Sequence, residues 1–455
     1  MCGIFYTFSR NNEIIKKYIS TKKDLIAPLY SRGPDYLGER VGKNYVAAHT
    51  LLSITGYMEQ PVETDRYIVL FNGEIYNDFK NYNARYGDTE FLVKFLEKNG
   101  PYKWSDLDGE FAIVVFDKKQ NNLTFVTDPF NTKPLYYQVT EDTIIVSTFK
   151  GIVKNFGLSS GIIRRVPANT CITFSLETLT AVKQSIVTEF DFCNQFKEDF
   201  ESWNKAFSNA IKKRSTNLKH GLFVPLSSGH DSGAIVAELV NQGINFKCFM
   251  SNLEEDKNVY DARRKLLESS GIEIEEFELD NKTSKEMEQD LLSNVEMIKF
   301  HNPIYPDKTF PEIDFRKNGG IWAHNYICKC ARKTGHFIGL YGNGGDEIYT
   351  DFWYPPPSNS GWSSVKNDWR SQIGPWPNFY EGWNEIFLKG ADMIGSHNSI
   401  EGRFPLLDKF VVQEFLYLKP ELKQKVYKAP LTNLLQKNEF PAALKKVGFR
   451  GSAFE

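Results

Sequence analysis

Cysteine is scarce, at six in 455 residues. Cys2, Cys171, Cys193, Cys248, Cys328 and Cys330 are too few and too scattered for a disulfide framework, and a reducing cytoplasm suits them. Cys328 and Cys330 form C-x-C, but no second pair or His stands at zinc spacing, so an ordinary helix or strand pair outweighs a metal role. Long apolar runs are also missing. They are as short as Phe111 to Phe116, and no 18-residue stretch exists to cross a bilayer. Met-Cys-Gly lacks a charged n-region and a long h-region, so no signal peptide is expected. Neither sign of charge dominates: 55 Lys+Arg against 57 Asp+Glu leaves −2, with a pI near 6.4. That excludes a globally basic nucleic-acid binder, though not a local basic patch. No repeat of 20–50 residues is evident.

What is present suits a multidomain globular protein. Apolar residues make up 41% and aromatics 14%, enough for sizeable cores and too much for disorder. The length suggests two or three domains. Up to about residue 185 the chain reads as short strands with turn signals. Examples are Tyr45–Ile54, Arg66–Phe71, Phe111–Asp117, Leu123–Thr127, Thr143–Ser147 and Thr170–Phe174. Their two-residue alternation or short apolar runs suit sheets packed on each other. Helices are expected at Glu13–Ile26 and Asp88–Asn99. A linker falls near Val187–Gln195. Helices at Phe196–Lys213, Gly233–Gln242 and Tyr260–Ser270 then alternate with strands at Gly221–Leu226, Phe246–Asn252 and Glu273–Leu279. That βαβ rhythm implies a parallel sheet with crossover helices. Residues 351–383 carry Pro355-Pro356-Pro357 and five Trp, of which Trp362, Trp369, Trp376 and Trp383 are spaced by seven. Pro375 and Pro377 break a helix there, so an ordered loop is expected.

Four segments carry chemistry. Removing Met1 would leave Cys2 with a free α-amine able to act as base for its own thiol. Arg32-Gly33-Pro34-Asp35 follows an early helix. Phe71-Asn72-Gly73-Glu74-Ile75-Tyr76-Asn77 follows a strand, and Asp88-Thr89-Glu90 opens a helix. A Cys at position 2 means nothing alone, and Asn72-Gly73 alone is a hairpin turn. Together with Lys133-Pro134-Leu135-Tyr136-Tyr137, these segments resemble, in order and spacing, the class II glutamine amidotransferase domain of glutamine-hydrolysing asparagine synthetases. The resemblance extends over nearly the whole chain.

The resemblance implies an α+β, Ntn-hydrolase-like αββα sandwich of antiparallel sheets over residues 1–190. An α/β ATP pyrophosphatase domain, with a parallel sheet and flanking helices, is implied over 191–455. Cys2 would be the nucleophile for the glutamine amide. The Asn72 side chain and the Gly73 N–H are suitable donors to the oxyanion of the tetrahedral intermediate. By the same resemblance Asp88 binds the glutamine α-amine and Glu74 frames the substrate. One position departs from the family. Where an Arg usually pairs with the glutamine α-carboxylate, two residues after His49, this chain has Leu51, and an apolar side chain cannot pair with a carboxylate.

Leu226-Ser227-Ser228-Gly229-His230-Asp231-Ser232 ends a strand and opens a helix. Small residues let backbone N–H groups reach phosphate oxygens, and the helix start adds positive potential. The loop resembles the pyrophosphate loop of N-type ATP pyrophosphatases, with Ser228 replacing its first Gly. The resemblance also places Met250 near adenine, Tyr341 and Gly342 at the nucleotide, and Mg²⁺ on Asp231 and Asp346. It gives Lys446 the role of neutralising phosphate charge. Arg403 and Asp408, in Glu401–Asp408, resemble a block lining the acceptor site. Asn343 stands where the family has a Glu that helps the amine attack, and it cannot accept a proton.

The implied reaction is ATP-driven amidation of a carboxylate, with AMP and pyrophosphate released. Glutamine supplies ammonia through an internal tunnel, and aspartate is the default acceptor. Leu51, Asn343 and the Trp-rich segment leave three alternatives open: a sugar acid or other carboxylate as acceptor, a synthetase using another amine, or a non-catalytic binding module. No nucleic-acid or membrane partner is expected, and relatives often form homodimers.

Overall fold

The computed structural model describes residues 1–11, 13–81, 85–156, 161–251, 256–297, 314–350 and 374–443. The chain divides into two compact units, Met1–Glu189 with Gly395–Ile400, and Phe190–Ile394 with Glu401–Glu455.

The first unit is built on two six-stranded antiparallel sheets. One runs in the order Arg164–Arg165, Tyr136–Val139, Thr143–Ser147, Gly3–Ser9, Tyr45–Leu51 and Tyr36–Val41. The other runs Thr180–Ile186, Thr170–Ser175, Asn122–Thr127, Gly109–Asp117, Tyr67–Ile75 and Val62–Glu63. Successive strand residues point to opposite faces. Ile4 and Tyr6 therefore meet Ile68, Leu70 and Val114 in the core that the two sheets share. Phe5, between them, packs with Tyr18, Leu25 and Leu29 of the helix Glu13–Arg32. On the far side Val69 and Phe71 pack against Leu92 and Leu96 of the helix Gly87–Asn99. The layers are helix, sheet, sheet, helix. This is the expected αββα sandwich of antiparallel sheets. Strands covered on both faces, such as Gly3–Ser9, lose the hydrophobic-polar alternation of a solvated sheet.

The second unit is α/β. Its five-stranded parallel sheet runs Glu273–Phe277, Lys247–Ser251, Gly221–Leu226, His336–Leu340 and Glu401–Arg403. The chain winds outward from Gly221–Leu226 in one direction and then returns to its other side. That strand is therefore the topological switch point, where open α/β sheets form a crevice at the carboxyl ends of their strands.

One reading of the 351–383 segment needs correction. Residues 351–373 lie outside the described ones. The remainder is not a loop: Pro377–Tyr380 forms a short helix, and Trp383 lies in the helix Gly382–His397. Pro377 occupies the first turn, where a missing N–H costs nothing, so it opens a helix rather than breaking one.

Candidate active site

In the first unit, strand pairing gathers the predicted residues. Gly3 pairs with Thr50, bringing Cys2 to the end of the strand that carries Leu51. The Cys2 Sγ lies 4.0 Å from the Leu52 carbonyl oxygen. The N–H of Cys2 donates to Asn72 Oδ1 at 2.7 Å, across 70 residues of sequence. The Asn72 Nδ2 is buried and has no hydrogen-bond partner. A buried donor without a partner costs about 1–3 kcal/mol, and a developing oxyanion would supply the missing acceptor.

Gly73 has φ +129°, and a Cβ there would lie 1.9 Å from the Glu110 carbonyl oxygen. No other residue fits so close to the neighbouring strand. Asp88, in the first turn of its helix, accepts from the Ile75 N–H at 2.9 Å. It therefore stands at the end of the strand that presents Asn72 and Glu74, and both carboxyls are buried. Arg32 was not singled out as a site residue. Its Nε donates to the Cys2 carbonyl at 2.8 Å, which fixes the backbone of the nucleophile. Leu51 is buried, and its backbone carbonyl accepts from the Asp35 N–H.

In the second unit a cavity of about 340 Å³ opens at the switch point. Leu226, Ser227, Gly229, Asp231 and Ser232 line it from the first loop, and Tyr341, Gly342, Asn343, Asp346 and Glu347 from the second. The first loop is folded by its own serines. Ser227 N–H donates to Ser232 Oγ at 3.1 Å, and Gly229 N–H donates to Ser227 Oγ at 3.2 Å. Arg263 Nη1 binds the carbonyls of Ser227 and Gly229, the latter at 3.0 Å. The second loop lies against Asp231 because it carries Gly345, where a Cβ would sit 2.2 Å from Asp231 Oδ1. Burial, with Asp346 adjacent, pushes the Glu347 carboxyl up to about 7.

Other predicted residues stand elsewhere. Ser228 is buried beside the cavity, where its Oγ accepts from the Asp256 N–H at 3.3 Å. Its neighbours, not Ser228, form the lining. Met250 is fully buried core. Phe249 and Ser251 face the cavity, so the two-residue period turns Met250 away from it. Arg403 and Asp408 do not line the cavity either. Asp408 is held by Lys213 Nζ at 2.5 Å and Arg214 Nη1 at 2.6 Å. Arg403 is held by Glu401 at 2.8 Å and donates to the Arg214 carbonyl. These buried contacts tie the Glu401–Asp408 block to the helix Glu201–Arg214. Lys446 lies outside the described residues.

Lys428 was missed altogether. Its Nζ lies 2.7 and 2.6 Å from the two Asp231 carboxylate oxygens and 3.0 Å from Asp346 Oδ1. Sequence offered no cue, because Lys428 sits in an unremarkable Lys-Val-Tyr-Lys-Ala-Pro stretch far from both loops.

A family model described as a glutamine amidotransferase domain matches residues 1–187. An asparagine synthetase domain-containing protein of Saccharomyces cerevisiae is 24% identical over 474 residues, covering 91% of this chain and 87% of that one. Escherichia coli asparagine synthetase B (glutamine-hydrolysing) is 25% identical over 256 residues, 52% of this chain and 44% of that one. This last match thus spans under half of the relative's length. Among solved structures, the Bacillus subtilis glutamine phosphoribosylpyrophosphate amidotransferase superposes with a TM-score of 0.33 and 14% identity, covering 60% of this chain and 81% of that chain. The sandwich, its amidotransferase match and the synthetase relatives define an amidotransferase ligase. More specifically, residues 1–187 match a glutamine amidotransferase domain, and the chain over most of its length is similar to asparagine synthetase relatives at 22–24% identity.

Proposed function

We propose that this chain uses glutamine and ATP to amidate a carboxylate through an acyl-adenylate, with aspartate as the acceptor. The observation that carries this reading is the contact between Cys2 and Asn72, with a buried amide donor left without a partner beside the nucleophile. Residues 1–190 would be the glutaminase and 191–455 the synthetase.

In the glutaminase, Cys2 Sγ attacks the glutamine amide carbon. Asn72 Nδ2 and the Gly73 N–H take the oxyanion. Ammonia leaves, and water then cleaves the thioester to glutamate. Asp88 and Glu74 receive the α-amine end of glutamine. The burial of both carboxyls strengthens that attraction.

In the synthetase, ATP would occupy the cavity at the switch point. The folded serine loop suits its phosphates, because Arg263 draws two loop carbonyls to itself. Asp231 and Asp346 are hard oxygen donors that both line the cavity, a set that fits magnesium. When bound, the ion supplies charge neutralisation for the departing pyrophosphate. Glu347 lines the same cavity, and it is the candidate to take the proton of the attacking amine where Asn343 cannot. None of the six cysteines is in a disulfide, and no described helix is long and apolar enough to cross a membrane. A reducing cytoplasm is the setting we propose, with a homodimer as the assembly.

Leu51 favours a second reading, in which the synthetase uses an amine other than glutamine-derived ammonia. One experiment separates the two. Glutamine labelled with ¹⁵N in its amide, Mg-ATP and aspartate are incubated with the protein and with Cys2→Ala. Labelled asparagine together with AMP, lost in the variant, supports the first reading. Labelled ammonia without asparagine moves the acceptor to another carboxylate. An unlabelled product formed equally by Cys2→Ala would sink the glutaminase.

A further inference from the structure

The Asp231 and Asp346 carboxylates are not an open anionic pair. The Lys428 ammonium donates to Asp231 Oδ1 at 2.7 Å and Oδ2 at 2.6 Å, and its nitrogen forms an ion pair with Asp346 Oδ1 at 3.0 Å. The Tyr427 hydroxyl donates to the same Asp346 oxygen at 3.0 Å. The Lys428 side chain is 2% exposed, whereas those of the two aspartates are 21% and 22% exposed. The cation is thus sealed beneath the carboxylates, which reach the cavity over it. Its backbone is also fixed. Lys428 has φ 45° at the start of the helix Ala429–Lys437, and its carbonyl accepts from the Thr432 N–H at 2.9 Å.

We propose that Lys428 is a positioning residue and a resident counter-cation, which holds Asp231 and Asp346 in place and prevents them from capturing a divalent ion before nucleotide arrives. The proposal rests on the ATP reading above. A divalent ion binding the pair alone would have to take oxygens already spent on an ammonium, with two like charges only a few ångströms apart. Hard cations shed water reluctantly and gain little from carboxylates so engaged. A triphosphate reverses the balance. Its negative charges accept the ion from the cavity side while Lys428 still neutralises the buried side. The ion then enters with the phosphates, not ahead of them. The serine loop and the carboxylates would accordingly be assembled in the empty protein, with the aspartate positions set by a lysine and not by the metal.

The test uses the full-length chain and Mn²⁺ alone, read by loss of the free-ion paramagnetic resonance signal. Wild-type protein is expected to bind Mn²⁺ weakly without nucleotide. Lys428→Met is expected to bind one Mn²⁺ at least tenfold more tightly, and adding Asp231→Asn to that variant should remove the gain. Equal nucleotide-free affinity in wild type and Lys428→Met, within twofold, overturns the proposal. If the variant fails to fold, the wild type still decides: Mn²⁺ alone should leave its melting temperature unchanged while Mn²⁺ with ATP raises it. A rise with Mn²⁺ alone as large as that with Mn-ATP also overturns the proposal. Failure of Mn-ATP to bind wild type would strike the ATP reading instead, and the Mn²⁺ comparison between wild type and Lys428→Met would still decide the role of the lysine.

Discussion

Asn72→Asp is the most informative single change at the glutaminase. Asn72 has two jobs at once. Its Oδ1 accepts from the Cys2 N–H at 2.7 Å, and its Nδ2 is buried without a partner. Aspartate keeps the shape and an acceptor for Cys2 but removes the donor. Losing one oxyanion donor costs about 2.7–4 kcal/mol, so kcat for glutamine hydrolysis should fall about 10²- to 10³-fold. A carboxylate facing the oxyanion places the loss at the upper end of that range. Glutamine KM should stay within about threefold, because the donor acts on the transition state and not on bound substrate. Stability separates this from a folding defect. Asn72→Ala forfeits one hydrogen bond, about 1 kcal/mol, and also deletes a donor that was paying a burial penalty. Activity should therefore fall far more than stability in Asn72→Ala, while Asn72→Asp also carries the cost of burying a carboxylate. The assay is initial-rate ammonia release, with thermal melting alongside. Hydrolysis by Asn72→Asp within about tenfold of wild type would refute an oxyanion role for this side chain.

Two further outcomes follow from the geometry. Leu51→Arg should lower glutamine KM about tenfold, the yield of a charge-assisted pair worth about 1.5 kcal/mol, while ammonia-dependent turnover stays unchanged; an unaltered KM would mean the glutamine carboxylate is bound elsewhere. At the Glu401–Asp408 block, burial opposes ionisation of Asp408, but Lys213 and Arg214 prevail and hold its carboxyl at about 2. A lowered pKa gives stability that is present above the unfolded value, about 3.9, and is lost as pH falls toward 2. Asp408→Asn should therefore cost about 3–5 kcal/mol at pH 7, by leaving two buried cations without a counter-charge. In melts from pH 5 to pH 2 its gap to wild type should narrow below about pH 4, and a constant gap would show that Asp408 does not carry this titration.

Much of the fold was legible because short-range chemistry sets it. The short apolar runs expected as strands at Phe111–Asp117 and Leu123–Thr127 form the antiparallel pair Gly109–Asp117 and Asn122–Thr127. The strand Gly221–Leu226, running into small residues and then a helix, appears where that pattern predicts. Boundaries drifted where tertiary contacts outweigh local preference. The first helix extends through Pro28 to Arg32, because its apolar face continues to find partners on the sheet. The Glu201–Arg214 helix starts later than the apolar pattern suggests. Met250 was misplaced for a simpler reason: one residue of register decides which face of a strand a side chain occupies.

The sequence by itself determined the residue types and their order. It supplied a cysteine at position 2, an Asn-Gly pair after a strand, a loop of small residues before a helix, and acids in glycine-rich turns. Those are local properties, written in neighbouring residues. Only the tertiary structure decided which of them meet. It joined Cys2 to Asn72 across 70 residues and Lys428 to Asp231 across 197. It also consigned Arg403 and Asp408 to a buried ion cluster away from the cavity lining. Such contacts depend on strand register and sheet order. Nothing in the chemistry of a lysine marks the aspartates that folding will bring beside it.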